Sequence, residues 1–298
     1  MKKSKRVAAI TLAVALVVGI FAGVSAWAAQ RVSPVEIRTG VTVYSNNKAS
    51  IDASNLAEGF LLIKYTGTST SRIRVQISKD NGVAYTYDIN NAGRVETFPL
   101  TEGNGNYTVR VLENTGGTRY AIAYSTTVNL TLRDPLVPYL YSNQYVNFTK
   151  DSAVAKKAAE LVAGKTTDVE KLTAIYNYVI DNFTYDYAKA ATVQTGYLPA
   201  VDTILAAKKG ICFDYAAVMT AMLRSQNIPC KLVIGYADTV YHAWVNVFVD
   251  GNWVEGAIYF QGDKWSLLDP TYMSSGGRSD SVRQFVGNTQ NYTQKYAY

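Results

Sequence analysis

Cys212, His242 and Asp269 are residue types from which nucleophilic catalysis can be built, and they follow one another along the chain in that order. His242 is the single histidine among 298 residues, in Tyr241-His242-Ala243-Trp244-Val245-Asn246-Val247. Imidazole is the side chain whose ordinary pKa lies near neutrality, so this residue is the one candidate for an imidazole base. Alone, a histidine in a Val- and Trp-rich strand is more often a packed, hydrogen-bonded residue. Its neighbours in the sequence shift the balance.

Gly210-Ile211-Cys212-Phe213-Asp214-Tyr215-Ala216-Ala217-Val218-Met219 reads as a glycine ending one short helix and a cysteine in the first turn of the next. This second helix is expected to run to about Gln226 and stop before Ile228-Pro229, with Ala216, Ala217, Met219 and Leu223 turned inward. Backbone N–H groups without intrahelical partners and the positive end of the helix dipole favour a thiolate at such a position. The second cysteine, Cys230, follows Pro229 and opens the apolar run Lys231-Leu232-Val233-Ile234-Gly235-Tyr236. It is expected as a small buried hydrophobe, with a Cys212–Cys230 disulfide the lesser alternative for an exported chain. Asp269, in Leu268-Asp269-Pro270-Thr271, is by itself an ordinary turn residue. The order raises it: a nucleophile at a helix start, a base on a following strand and a carboxylate after that are the parts of a proton relay.

Taken together, Gly-Ile-Cys-Phe-Asp-Tyr-Ala, then Asn227-Ile228-Pro229-Cys230-Lys231 leading to Gly235-Tyr236, then His242-Ala243-Trp244, then Asp269-Pro270-Thr271, resemble the catalytic core of the transglutaminase-like superfamily over about residues 150–272. The resemblance implies Cys212 as nucleophile, His242 as general base and acid, and Asp269 as the carboxylate that orients the imidazole. It implies acyl transfer through a thioester on protein or peptide carboxamide or peptide bonds. Crosslinkers, deamidases, proteases and catalytically silent modules all occur in the superfamily, so the chemistry is better defined than the substrate. Lys231 stands where the family often carries arginine, which would lose a bidentate contact and leave the triad untouched. No further cysteines exist for the zinc site of the deglycosylating branch, and no clustered acidic loop suggests calcium. No cofactor and no metal are therefore expected. Tyr185 and Tyr187 are candidates for a side-chain oxyanion donor, with packing beside the preceding helix as the plainer role. Trp244 either limits water near the base or is a core aromatic. Hydrolysis is favoured over crosslinking, because no feature of the chain guides an amine acceptor.

These residues need elements to hold them. Residues 1–28 read as an export signal: Lys2, Lys3, Lys5 and Arg6 precede an apolar stretch to about Val24, and Ala26-Trp27-Ala28 offers a cleavage site. Retention of this segment as an anchor is the alternative. Its removal takes four positive charges, bringing the formal net charge from +6 to +2, and no basic cluster remains to suggest nucleic acid. The expected location is secreted or at the cell surface, without a membrane span after cleavage. The expected partner is a protein or peptide substrate, cell-wall or surface associated.

Residues 29–134 alternate with period two. Ile73, Val75 and Ile77, then Tyr107, Val109 and Val111, then Val128, Leu130 and Leu132 are each interleaved with polar residues. Turn signals stand at Asp80-Asn81-Gly82, Gly103-Asn104-Gly105 and Gly116-Gly117. The expectation is an Ig-like β-sandwich, serving as a spacer or as a binding module. Asp134-Pro135-Leu136-Val137-Pro138 breaks the pattern as a linker. Beyond it the period turns helical, with Val154, Ala155, Ala158, Leu161 and Val162 on one face, and a capping box at Thr167-Asp168-Val169-Glu170 ahead of Leu172, Ile175, Tyr176 and Val179. Residues 135–298 are thus expected to form an α+β, papain-like catalytic domain. Its nucleophile would open a helix packed on an antiparallel sheet, and its polar tail from Met273 would fray or lay its tyrosines on the surface. The functional alternative is a catalytically silent scaffold whose sandwich binds a surface or extracellular ligand.

Overall fold

In the N-terminal region of the computed structural model, alternating apolar residues become eight strands in two antiparallel sheets. The model describes residues 33–254, 258–261, 264–267, 271, 274 and 289–298. One sheet takes β1 (Val43–Ser45), β2 (Ala49–Asp52), β3 (Phe60–Tyr65) and β6 (Glu96–Pro99) in the order β1-β2-β3-β6. The other takes β4 (Ile73–Lys79), β5 (Ala84–Ile89), β7 (Gly105–Gly116) and β8 (Arg119–Leu130) in the order β5-β4-β7-β8. Ile73, Val75 and Ile77 are buried, as are Tyr107, Val109 and Val111, while Arg72, Arg74 and Gln76 point to the opposite face. Asp80 and Asn81 both adopt positive φ in the β4–β5 turn, and Gly117 does so in the two-residue Gly117-Thr118 turn closed by the Gly116–Arg119 pair.

Asp134 to Tyr139 is a short turn whose Val137 and Pro138 are buried, so the expected linker is a packed segment. The Tyr139 hydroxyl donates to Thr101 O at 2.9 Å, binding this turn to the end of the sheets. Residues Pro34–Tyr298 form one compact unit, with core residues of the sheets and of the later helices in one continuous cluster.

Helices follow. α1 (Ala153–Val162) buries Val154, Ala155 and Ala158. α2 (Asp168–Asn182) opens with the expected capping box: Thr167 accepts from the Glu170 N–H, and Glu170 takes the N–H groups of Thr166 and Thr167. Those backbone hydrogen bonds hold the Glu170 carboxyl at about 2. A two-residue strand β9 (Thr184–Tyr185) pairs in parallel with β10 (Lys209–Gly210), and between them lie α3 (Tyr187–Thr192) and α4 (Val201–Ala207). α5 (Cys212–Ser225) is the central helix, buried from Asp214 to Arg224 and not only along the inward stripe expected. One residue placement differs. Lys208, in the left-handed region, ends α4, whereas Gly210 serves close packing: a Cβ there would lie 2.5 Å from Cβ of Asp214.

α5 packs on a four-stranded antiparallel sheet of β11 (Cys230–Ala237), β12 (Val240–Val249), β13 (Asn252–Val254) and a strand from the tail, with β14 (Ile258–Gln261) and β15 (Lys264–Leu267) as a separate hairpin. The tail departs from expectation. Tyr292–Ala297 forms β16, an edge strand pairing with β11, and Tyr298 is buried. Its ring meets Tyr85 and Tyr87 of the N-terminal sheet at 5.5 and 5.9 Å and Tyr145 at 4.6 Å. Apolar ring area outweighs the polar composition of the segment, which is why the tail neither frays here nor exposes Tyr298. Gly235 permits the pairing, because a Cβ would collide with Thr293 O of β16. Among the described residues no helix is long and apolar enough to cross a membrane. Residues 1–28, expected as an export signal, lie outside the described residues.

Candidate active site

Cys212 is the first residue of α5, with Ile211 in extended conformation ahead of it. Asp214, two residues on, is fully buried and does the capping: its Oδ2 accepts the Ile211 N–H at 2.8 Å. The same carboxylate accepts Lys189 Nζ from α3 at 2.5 Å and the Tyr197 hydroxyl at 2.5 Å. Burial and the hydrogen bond to Asp214 push the Tyr197 hydroxyl well above its ordinary pKa, so it donates. A full negative charge placed at the positive end of α5 is favoured by the helix dipole as well as by Lys189. The α3 segment and the loop after it are thereby tied directly beneath the turn that carries the cysteine.

His242 enters on β12, paired across the ladder with Gly235 of β11. Only 6% of its surface is exposed. The Trp244 ring, two residues along and on the same face, lies nearly parallel to the imidazole with centroids 6.4 Å apart. Trp244 belongs to a small core with Val233 and Ala297, as the plainer expectation had it. Tyr241, His242 and Ala243 reach a cavity of about 560 Å³ at the start of β12, and Cys212 lines the same cavity. Phe213 is also in the lining, held by edge contacts to Tyr145 at 5.5 Å and Tyr197 at 6.3 Å. The cavity therefore brings together the first two of the three residues read from the sequence. Asp269 lies outside the described residues.

Both cysteines are free. Cys230 is fully buried in the core, its thiol pushed up to about 12 by burial, and its Sγ lies 3.6 Å from Thr220 Oγ1. The disulfide alternative is thus not realised, and the expected core role for Cys230 is. Of the two tyrosines considered as oxyanion donors, Tyr185 lines the cavity, while Tyr187 is 70% exposed and packs edge-on against Tyr185. Lys231 has a physical reason to be lysine: its Nζ sits 3.9 Å over the Trp253 ring and 4.9 Å from that of Tyr139. Among the described residues no group of three or more His, Cys, Asp or Glu could hold a metal ion.

Sequence reasoning did not single out Asp214, Lys189 and Tyr197, nor Arg72, Arg74, Thr86 and Asp88, which line the cavity from the N-terminal sheet. A carboxylate in the first turn of a helix is a legible capping signal, so Asp214 had one. The arginines had none, because their alternation reads simply as the solvent face of a strand.

Residues 155–270 match the family model described as "Transglutaminase-like superfamily", an interval containing Cys212, His242 and Asp269. Human kyphoscoliosis peptidase is 28% identical over 138 residues, covering 45% of this chain and 20% of that protein. The uncharacterised protein YebA of Bacillus subtilis is 24% identical over 201 residues, covering 61% of this chain and 26% of that protein. The chain spans less than half the length of either relative. Among solved structures, a candidate cysteine protease from Cytophaga hutchinsonii aligns with 87% of this chain and 74% of its own, at 16% identity and a TM-score of 0.42. Red sea bream transglutaminase aligns with 76% of this chain and 53% of its own, at 14% identity and a TM-score of 0.31. A thiol at the head of α5 and an imidazole on the adjoining sheet share one cavity inside the matched interval, and over residues 155–270 the chain resembles the transglutaminase-like superfamily.

Proposed function

We propose that the protein is an exported cysteine enzyme that transfers acyl groups from protein or peptide substrates through a thioester, with Cys212 as nucleophile, His242 as general base and acid, and Asp269 as orienting carboxylate. The observation that carries this is the shared cavity: a half-buried thiol at a helix N-terminus and the only imidazole of the chain line one space, although 30 residues separate them. His242 takes the proton from Sγ as sulfur attacks the carbonyl carbon and the C=O π electrons move onto oxygen. The tetrahedral intermediate collapses, the C–N bond breaks, and His242 returns the proton to the leaving amine. A thioester remains, and water or a second amine resolves it with His242 again acting as base. Asp269 fixes the imidazole tautomer and stabilises its cation.

The two N-terminal sheets are taken as a β-sandwich on residues 29–134, with residues 1–28 directing export to the cell surface or beyond. Hydrolysis is preferred over crosslinking as the fate of the thioester. The human relative is named a peptidase, which supports that preference.

Turnover by Cys212→Ala, His242→Ala and the double variant tests the assignment. Each single change is expected to lower kcat/KM by about 10⁴-fold or more, with the double variant no worse than either, because parts of one relay are not additive. Losses that multiply overturn the shared mechanism, unchanged turnover overturns the assignment of Cys212 and His242, and absence of turnover in the parent chain returns the domain to the silent scaffold. Mass spectrometry of a glutamine-containing peptide incubated with a fluorescent primary amine separates cleaved or deamidated product from amine conjugate.

A further inference from the structure

The cavity around Cys212 and His242 has a wall that the matched interval does not supply. Arg72, just ahead of β4, Arg74 on β4, and Thr86 and Asp88 on β5 belong to its lining. Arg74 and Asp88 are direct cross-strand partners, and this outward face lies behind the buried Ile73, Val75 and Tyr87. Asp88 receives both forks: Arg72 donates through Nε at 2.7 Å and through Nη2, and Arg74 donates through Nε at 3.2 Å. One carboxylate shared by two guanidinium groups leaves a net charge of about +1 on this wall, and these three are the Asp, Glu, Lys or Arg side chains among the described lining residues. Among the described residues no hydrogen bond occupies Nη1 or Nη2 of Arg74, whose guanidinium carbon sits 4.6 Å over the Tyr120 ring.

The wall is fixed to the rest of the site. Gln144 donates to Asp88 O at 2.6 Å, and the loop after α3 lies so close that a Cβ on Gly196 would come within 2.9 Å of Asp88 Oδ2 and 3.2 Å of Arg72 Nη2. Gly196 has φ +89°, which glycine adopts without strain. Its neighbour Tyr197 is the residue hydrogen-bonded to Asp214 beneath the cysteine. A single loop thus joins the arginine pair to the turn that carries the thiol.

We propose that Arg74, together with Arg72 and Asp88, forms a carboxylate-binding subsite of the cleft, so that the enzyme selects acyl substrates bearing an acidic group near the reacting carbonyl. This rests on the acyl-transfer assignment above. A guanidinium presents paired donors matched to a carboxylate, its stacking on Tyr120 fixes its plane, and a concave wall of net positive charge attracts anions. The N-terminal sheets are then part of the substrate site and not only a spacer.

Alkylation of Cys212 in the full chain by iodoacetate and by iodoacetamide reads the wall charge without needing turnover, since the ratio of the two rates cancels the reactivity of the thiol. Arg74→Gln is expected to lower the iodoacetate-to-iodoacetamide ratio about threefold, and Arg74→Glu about tenfold, with Arg74→Lys restoring it. Peptides carrying Glu, Gln or Lys beside the reacting residue, each ending in a free carboxylate or an amide, supply the second arm. A preference of about tenfold in kcat/KM for Glu over Lys is expected, lost in Arg74→Gln and reversed in Arg74→Glu. Dependence on the terminal carboxylate alone assigns the subsite to a free chain end instead of an acidic side chain. A ratio and a peptide preference unmoved by Arg74→Glu overturn the subsite even where turnover is intact. Absence of turnover on every peptide, with the ratio still responding to Arg74, overturns the acyl-transfer assignment and leaves the anion-attracting wall in place.

Discussion

The two ends of α5 each bury a charge, and they do so for different purposes. At the N-terminal end the fully buried Asp214 meets Lys189, Tyr197 and the Ile211 N–H, all of them in or beside the cavity wall. At the C-terminal end Arg224, 2% exposed, is held by main-chain oxygens. Its Nε and Nη2 donate to Cys230 O at 2.9 and 2.7 Å, its Nη1 to Tyr141 O at 2.7 Å, and its Nη2 also to Tyr298 O at 2.6 Å. Both signs agree with the helix dipole, negative at the start and positive at the finish. Burial pulls the Arg224 guanidinium down to about 10, which still leaves it charged at neutral pH. One end uses a paired ion to tie the Lys189–Tyr197 segment to the turn beside a thiol. The other uses an ion bonded to main-chain oxygens to draw the backbone at Tyr141, Cys230 and Tyr298 into one closed corner.

The largest effect expected from this contrast is in the cysteines that sit at those ends. Iodoacetamide in the native state is expected to label Cys212 at least about 10³-fold faster than Cys230, whose modification awaits global opening of the core. Peptide mapping by mass spectrometry reads both sites, and comparable rates would mean that the C-terminal corner is not sealed.

Next is Arg224→Met. Removing the guanidinium strands the carbonyls of Cys230 and Tyr141 in the interior and leaves the Tyr298 oxygen with the Leu232 N–H alone, and a loss of about 3 kcal/mol is expected from buried polar groups that lose their donors. Urea denaturation at constant m-value measures it. A variant within about 0.5 kcal/mol of the parent would show that these carbonyls find other partners.

Asp214→Asn is expected to cost less, about 2 kcal/mol, because Lys189 remains 27% exposed and can turn to solvent. Its distinctive consequence is local: hydrogen exchange in residues 186–198 should accelerate, while the β11–β16 corner keeps its protection. Uniform loss of protection would erase the difference between the two ends.

The smallest effect concerns Glu58, which is tied to the same corner through Tyr141, whose hydroxyl donates to Glu58 at 2.8 Å while its carbonyl receives Arg224. The Arg133 fork, then the Tyr141 hydroxyl, hold the Glu58 carboxyl below its ordinary 4.5 despite burial. A depressed carboxylate stabilises the fold above its unfolded pKa and loses that contribution as pH falls through the folded value. Stability should therefore decline below about pH 4.5 with a slope that Glu58→Gln reduces by at most one proton, about 1 kcal/mol in all. An unchanged acid limb in urea titrations at several pH values would place the proton uptake elsewhere.

Much of this was legible in the chain. Strand alternation around Ile73, Tyr107 and Val128, the hairpin signals, the Thr167–Glu170 capping box, and the position of Cys212 at the head of a helix are local matters. They are settled by side-chain period, turn chemistry and capping within a few residues. The motif segments around Cys212, Asn227–Lys231, His242 and Asp269, taken in order, were also enough to recognise the resemblance to the superfamily. What the tertiary structure decided is every pairing between residues far apart. Nothing near Tyr292–Tyr298 says that a polar, tyrosine-rich tail will become an edge strand on β11 and seat its last ring against Tyr85 and Tyr87. Nothing near Arg74 says that an ordinary outward position will line one cavity with Cys212, or near Arg224 that its partners will include main-chain oxygens of Tyr141 and Tyr298. Local preferences act over a turn or a strand, whereas burial of area and satisfaction of buried polar groups are fixed only once the whole chain has closed around them.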